Sequence, residues 1–193
     1  MTNKKYVLTA ETKMVFGITL HRIQALKDFG NVNAGELGGW IEKEENLSHY
    51  GNCWVYDNAN VYDDAQVYNN AVVRNDAEVY GNAKVFEDAE ICGNAEVYDT
   101  AEVYGNAAVF GCAKVYKSAM VCDNAKVYGE AKILGSSALC EEAQVFGNVI
   151  ISDNVLVEGD TQINGKIHIY GNAHLFGGNL TGDCKIGGNS EIY

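Results

Sequence analysis

The stretch AEVYGNAKVFEDAEICGNAEVYDTAEVYGNAAV, residues 77–109, decides the fold. An aliphatic residue returns at every sixth position, as Val79, Val85, Ile91, Val97, Val103 and Val109. Alanine stands two residues before each of them, from Ala77 to Ala107. Between units come pairs such as Gly81-Asn82 and Gly105-Asn106. A helix repeats near 3.6 residues and a half-buried strand at 2, so neither explains six. A coil of short strands joined by tight corners does. Val is a good strand former. Gly, Asn and Asp tolerate positive φ, and the latter two hydrogen-bond their own turns. Each hexapeptide is therefore half strand and half corner.

The series runs outward in both directions. It begins at Val55 and reaches Leu175 without a break. There the frame slips by one residue, and the inward series continues at Leu180, Ile186 and Ile192, which predicts a tightened corner at Gly177-Gly178. Val55 to Ile192 makes 24 units. Proline is absent from all 193 residues while Gly numbers 21, so little of the chain reads as irregular loop.

This pattern resembles the hexapeptide-repeat superfamily over residues 55–193. The resemblance implies an all-β chain, a left-handed parallel β-helix in which three hexapeptides make one triangular coil. Eight coils at roughly 4.8 Å each give a rod about 38 Å long. Residues 28–59, DFGNVNAGELGGWIEKEENLSHYGNCWVYDNA, are also similar to a group of bacterial and prophage hexapeptide-repeat proteins. Many of those carry transferase labels that follow the fold alone.

Residues 1–46 lack the repeat and are expected to cap the β-helix of residues 47–193, since an open end exposes unpaired strand edges. Residues 5–10 and 13–25 read as two extended segments, the second alternating at Phe16, Ile18 and Leu20. GELGGWIEKEENLS, residues 35–48, reads as turns.

Equivalent positions on successive coils share a face, so outward columns can be written down. One is Tyr62, Tyr80, Tyr98, Tyr116, Leu134, Ser152 and Tyr170. A second is Tyr56, Arg74, Cys92, Phe110, Tyr128 and Phe146. The third is Tyr68, Phe86, Tyr104, Cys122, Cys140, Glu158 and Phe176. Aromatic ladders at coil spacing stabilise neighbouring coils. On the third face Met120, Cys122, Ala138, Cys140 and Leu156 form an apolar strip, which predicts a homo-oligomer interface.

The net charge of −12 is uneven. Residues 1–54 sum to zero, residues 55–110 to −9 and residues 111–193 to −3. The acidic surface comprises Asp57, Asp63, Asp64, Asp76, Glu78, Glu87, Asp88, Glu90, Glu96, Asp99 and Glu102. Such a balance argues against direct binding of nucleic acid. It suits a protein partner that carries a basic nucleic-acid-binding groove. No apolar run is long enough to span a membrane. The N-terminal MTNKKYVLTAETK lacks a signal-peptide core, and the six cysteines show no CxxC pairing, so a reducing cytoplasmic setting is expected.

The resemblance implies, for members that are acyltransferases, a His acting as general base at a subunit cleft on an acyl-CoA substrate. Of four histidines only His168 and His174 fall on outer positions of the coils. The repeats carry no long inserted loop to shape an acceptor pocket. No cofactor is expected. Cys122 and Cys140 lie side by side, but with Glu158 as the only further ligand in view, no metal site is expected. The sequence therefore leads to a non-catalytic interaction protein of phage type. It would act as an acidic oligomer that binds and inhibits a host nucleic-acid-handling or defence protein. A hexapeptide acyltransferase and a self-assembling rod are the alternatives.

Overall fold

The computed structural model describes residues 4–193. From Trp54 onward the chain is a left-handed parallel β-helix of about eight coils, built from two-residue strands as far as Leu139 and mostly from longer ones, of up to eight residues, beyond Gln144. Each strand pairs in parallel with its counterpart on the next coil. Glu78–Val79 pairs with Glu96–Val97, which pairs with Lys114–Val115, which pairs with Lys132–Ile133. The aliphatic column and its alanines are buried, Val79, Val97, Val115 and Ala95 at 0% exposure. The period of six thus sends one Val or Ile and one Ala per unit into a continuous core. Removal of that apolar surface from water is what drives the coiling.

The corners explain the polar half of the repeat. The residue two places after each inward aliphatic has positive φ, as at Asp57 (54°), Glu87 (59°), Gly105 (73°) and Asp123 (57°). Where that residue is acidic, its carboxylate accepts the backbone N–H of the corresponding corner one coil on. Glu87 accepts from Gly105 at 3.0 Å, Asp99 from Lys117 at 3.1 Å and Asp153 from Gly171 at 2.9 Å. Outward aromatic rings stack at the coil spacing. Tyr80–Tyr98 and Tyr98–Tyr116 centroids lie 4.8 Å apart, and Phe110–Tyr128 and Tyr128–Phe146 lie 4.7 Å apart.

The predicted frame slip is present. Glu158 still pairs with Phe176 at the full coil period, but Gln162 pairs with Asn179 and Ile163 with Leu180, one position short of it. The lost residue falls at Gly177-Gly178, both with positive φ.

At the N-terminal end, β1 (Tyr6–Val15), β2 (Ile18–Ala25) and β3 (Leu37–Ile41) form an antiparallel cap. Two details differ from the sequence reading. The extended segment at residues 13–25 is broken by a turn at Phe16 (φ 48°) and Gly17 (φ 87°), which leaves Phe16 89% exposed instead of continuing the alternation. And GGWI is strand, not turn. β3 pairs in parallel with Asn60–Val61, so it joins the cap to the coils. Its glycines serve close approach: a Cβ on Gly38 would meet Val55 O at 2.6 Å, and one on Gly39 would meet Ala59 O at 2.7 Å. Tyr6, Ile23, Ile41, Leu47 and Trp54 fill the end of the core. Lys5 is buried there with its Nζ donating to Cys53 O at 2.8 Å, and burial lowers its pKa.

Among the described residues, no helix is long and apolar enough to cross a membrane.

Candidate functional site

The eleven acids of the first coils all have internal partners. Asp57, Asp63, Glu87 and Asp99 accept corner N–H groups. Asp76 and Asp88 accept from Asn58 and Asn70 one coil back. Asp64, Glu90, Glu96 and Glu102 pair with Lys43, Arg74, Lys114 and Lys84. Glu78 accepts from Asn60 and from the Tyr62 hydroxyl, each at 3.2 Å. The composition that reads as an acidic surface is thus also the hydrogen-bonding that ties coil to coil. Such exposed pairs each add little stability, but they fix where the carboxylates point.

Lysines without an ion-pair partner lie elsewhere. On the face that carries Tyr80, Tyr98 and Tyr116, the first outward column reads Glu78, Glu96, Lys114, Lys132, Ile150, His168 and Lys185. It changes from acidic to basic along the rod. Lys132, Lys166 and Lys185 make no ion pair among the described residues. They line two shallow depressions that share Asn148, Ile150 and Lys166 and so form one groove. One, of about 630 Å³, contains Lys114, Glu130 and Lys132; the other, of about 210 Å³, contains His168, Asp183 and Lys185. At the groove's end His168 Nε2 lies 3.1 Å from Ser152 Oγ, and the imidazole tilts against the Tyr170 ring at 5.1 Å.

The face that carries Tyr104 has a second cluster. Cys122 donates its S–H to Cys140 Sγ at 2.9 Å. That bond holds the Cys140 thiol below its ordinary pKa and raises that of Cys122. Asp123 Oδ2 lies 3.6 Å from Cys122 Sγ, and the three ligand-type atoms fall within 4.8 Å of one another. Further along, His174 Nε2 meets Glu158 Oε1 at 2.8 Å. The strip expected as an interface is half-buried at Met120, Ala138, Cys140 and Leu156, but Cys122 is 4% exposed and offers almost no surface.

Forty residues of the chain are 50% identical to the uncharacterized acetyltransferase YdcK of Escherichia coli (strain K12). The matched stretch is 21% of this chain and spans only 12% of that protein's length. No family model matches the chain. The periodicity, the parallel register and this likeness agree. The chain is built of hexapeptide repeats wound into a parallel β-helix.

The hexapeptide geometry also shows what the sequence reading passed over. Side chains pair diagonally, two positions short of the coil period, as well as directly across it. Tyr62 reaches Glu78, Arg74 reaches Glu90, Ser152 reaches His168 and Glu158 reaches His174 in this way. A search of the repeat at that shorter separation finds both histidine partners. Asp123 was missed because it occupies a corner, where positive φ turns its carboxylate back beside the thiols. His49 packs on the Tyr6 ring at 4.4 Å and accepts the Lys5 N–H, a structural role.

Proposed function

We propose that this chain is an acyltransferase that takes an anionic, CoA-type acyl thioester in the Lys132–Lys166–Lys185 groove, with His168 as general base. The observation that carries the reading is the concentration of unpaired lysines beside a Ser–His pair in a chain of net charge −12. Phosphates of the donor would neutralise the lysines. His168 Nε2 would take the proton of an acceptor hydroxyl or amine while the freed lone pair attacks the thioester carbonyl; the C–S bond breaks and the leaving sulfur takes the proton back from His168. At 3.1 Å from Nε2, Ser152 Oγ stands where an acceptor oxygen would deliver its proton, and orients the ring until one arrives. The likeness to an acetyltransferase by name supports the same class. The strip of Met120, Ala138 and Leu156 supports assembly of copies, as clefts between subunits require.

The reading as an acidic inhibitor of a nucleic-acid-handling protein has less support. Its carboxylates are each oriented by donors within the chain, which gives them a structural reason to exist.

The test is acetyl-CoA binding by calorimetry together with transfer to a panel of amines and hydroxyl compounds. Lys166→Ala with Lys185→Ala should weaken binding at least tenfold. His168→Ala should keep binding and lose transfer. Absence of acyl-CoA binding by the unaltered chain, or full transfer by His168→Ala, overturns the proposal.

A further inference from the structure

The geometry points to a binding site for a thiophilic divalent cation of the Zn²⁺ class, held by Cys122 Sγ, Cys140 Sγ and an Asp123 carboxylate oxygen. This site lies on a different face from the His168 groove and stands independently of the acyl-transfer reading. Three facts carry it. The two sulfurs converge at 2.9 Å from adjacent coils. The carboxylate lies beside them, all three ligand atoms being within 4.8 Å. And that carboxylate is held in place, because the Oδ2 that lies beside Cys122 Sγ also accepts the Glu141 N–H at 3.1 Å. Such outer hydrogen bonds are what orient metal ligands.

The alternative product of two close thiols is a disulfide, and the coil works against it. Met120–Val121 and Ala138–Leu139 are in parallel register, so Cys122 and Cys140 project alike from neighbouring strands. Those strands are about 4.8 Å apart. A disulfide requires Cβ atoms roughly 3.5–4.5 Å apart. An ion bound to both sulfurs by bonds of about 2.3 Å at a tetrahedral angle needs the sulfurs only about 3.8 Å apart. A small rotation of each side chain opens the present separation to that value. Two sulfurs and one oxygen leave the fourth tetrahedral position on the solvent side, where Asp123 is exposed and Cys140 half-buried. Open positions of that kind admit water or a small ligand. Soft sulfur donors select Zn²⁺ or Cd²⁺ over Mg²⁺ or Ca²⁺.

Cd²⁺ alone is the probe, added to the reduced chain of residues 1–193 and followed by its ultraviolet sulfur-to-metal charge-transfer band. The expected result is saturation at one ion per chain, displaced by Zn²⁺ and not by Mg²⁺. Cys122→Ser and Cys140→Ser should each abolish the band, and Asp123→Asn should weaken binding at least tenfold. Cys92→Ser and Cys184→Ser should leave it unchanged. No band in the unaltered chain, or an undiminished band in either Cys122→Ser or Cys140→Ser, overturns the proposal. A second readout needs no variant: Zn²⁺ should slow alkylation of Cys140 relative to Cys112, as mapped by mass spectrometry. Equal rates for Cys140 with and without Zn²⁺ overturn it as well.

Discussion

Gly105→Ala tests the corner geometry that closes every coil. Gly105 has φ 73°, and a Cβ there would lie 2.7 Å from Asp123 N and 2.8 Å from Asp123 O. Both are backbone atoms, so the next corner must move. An L-residue in this conformation costs about 1–2 kcal/mol. The forced shift costs about 1–3 kcal/mol, as overpacking does. The stiffer unfolded chain returns about 0.4–1 kcal/mol. The net expectation is a loss of about 2.5 kcal/mol. Gly105→Asn makes the same overlap but tolerates positive φ. Its Oδ1 could accept the Asp123 N–H, as Asn75 Oδ1 accepts the Gly93 N–H at 3.3 Å. That variant should be the more stable of the two by about 1 kcal/mol. The assay is urea unfolding followed by circular dichroism and by the fluorescence of Trp40 and Trp54. Because repeat arrays can unfold in segments, the two probes must coincide before a free energy is extracted. Exchange of the Asn106 amide, bonded to Asp123 O at 2.6 Å, reads the corner directly. Gly105→Ala within about 0.5 kcal/mol of the unaltered chain, or more stable than Gly105→Asn, would refute the reasoning.

Two further outcomes follow from packing and ionisation. Ile133→Ala, at 0% exposure between Val115 and Ile151, should lower the urea midpoint by an amount worth about 2–5 kcal/mol, while Lys132→Ala on the outer side should change it little; similar effects at both positions would mean that the inward and outward phases are misassigned. Burial raises the pKa of Tyr6, Tyr62, Tyr80 and Tyr104, and pushes that of Tyr98 up to about 12. A raised folded pKa means that the folded state keeps protons the unfolded state has lost, so stability is full below about pH 10 and declines as pH rises from there towards 12. Thermal melts between pH 8 and 12 should show that decline, and Tyr98→Phe should make it shallower; a flat profile would contradict the assignment.

The strict hexapeptide period was sufficient for a coil of short strands and tight corners, because neither a helix nor a plain strand repeats at six, while three hexapeptides to a turn came from the resemblance to known repeat proteins. It also placed the aromatic ladders, since a coil of three hexapeptides fixes which side chains stack, and it located the slip at Gly177-Gly178, where the inward series loses one residue. The adjacency of Cys122 and Cys140 was legible for the same reason. What the residues could not state is direction. Asp123 joins the thiols only because positive φ at the corner turns its carboxylate towards them. His168 meets Ser152, and His174 meets Glu158, only because side chains lean diagonally across the coils. Glycines 38 and 39 read as turn until the approach of Val55 and Ala59 shows that they make room for a strand. Periodicity is a property of the chain and survives in its letters. Side-chain direction and close approach depend on backbone angles set by neighbouring coils, and exist only once those coils are packed.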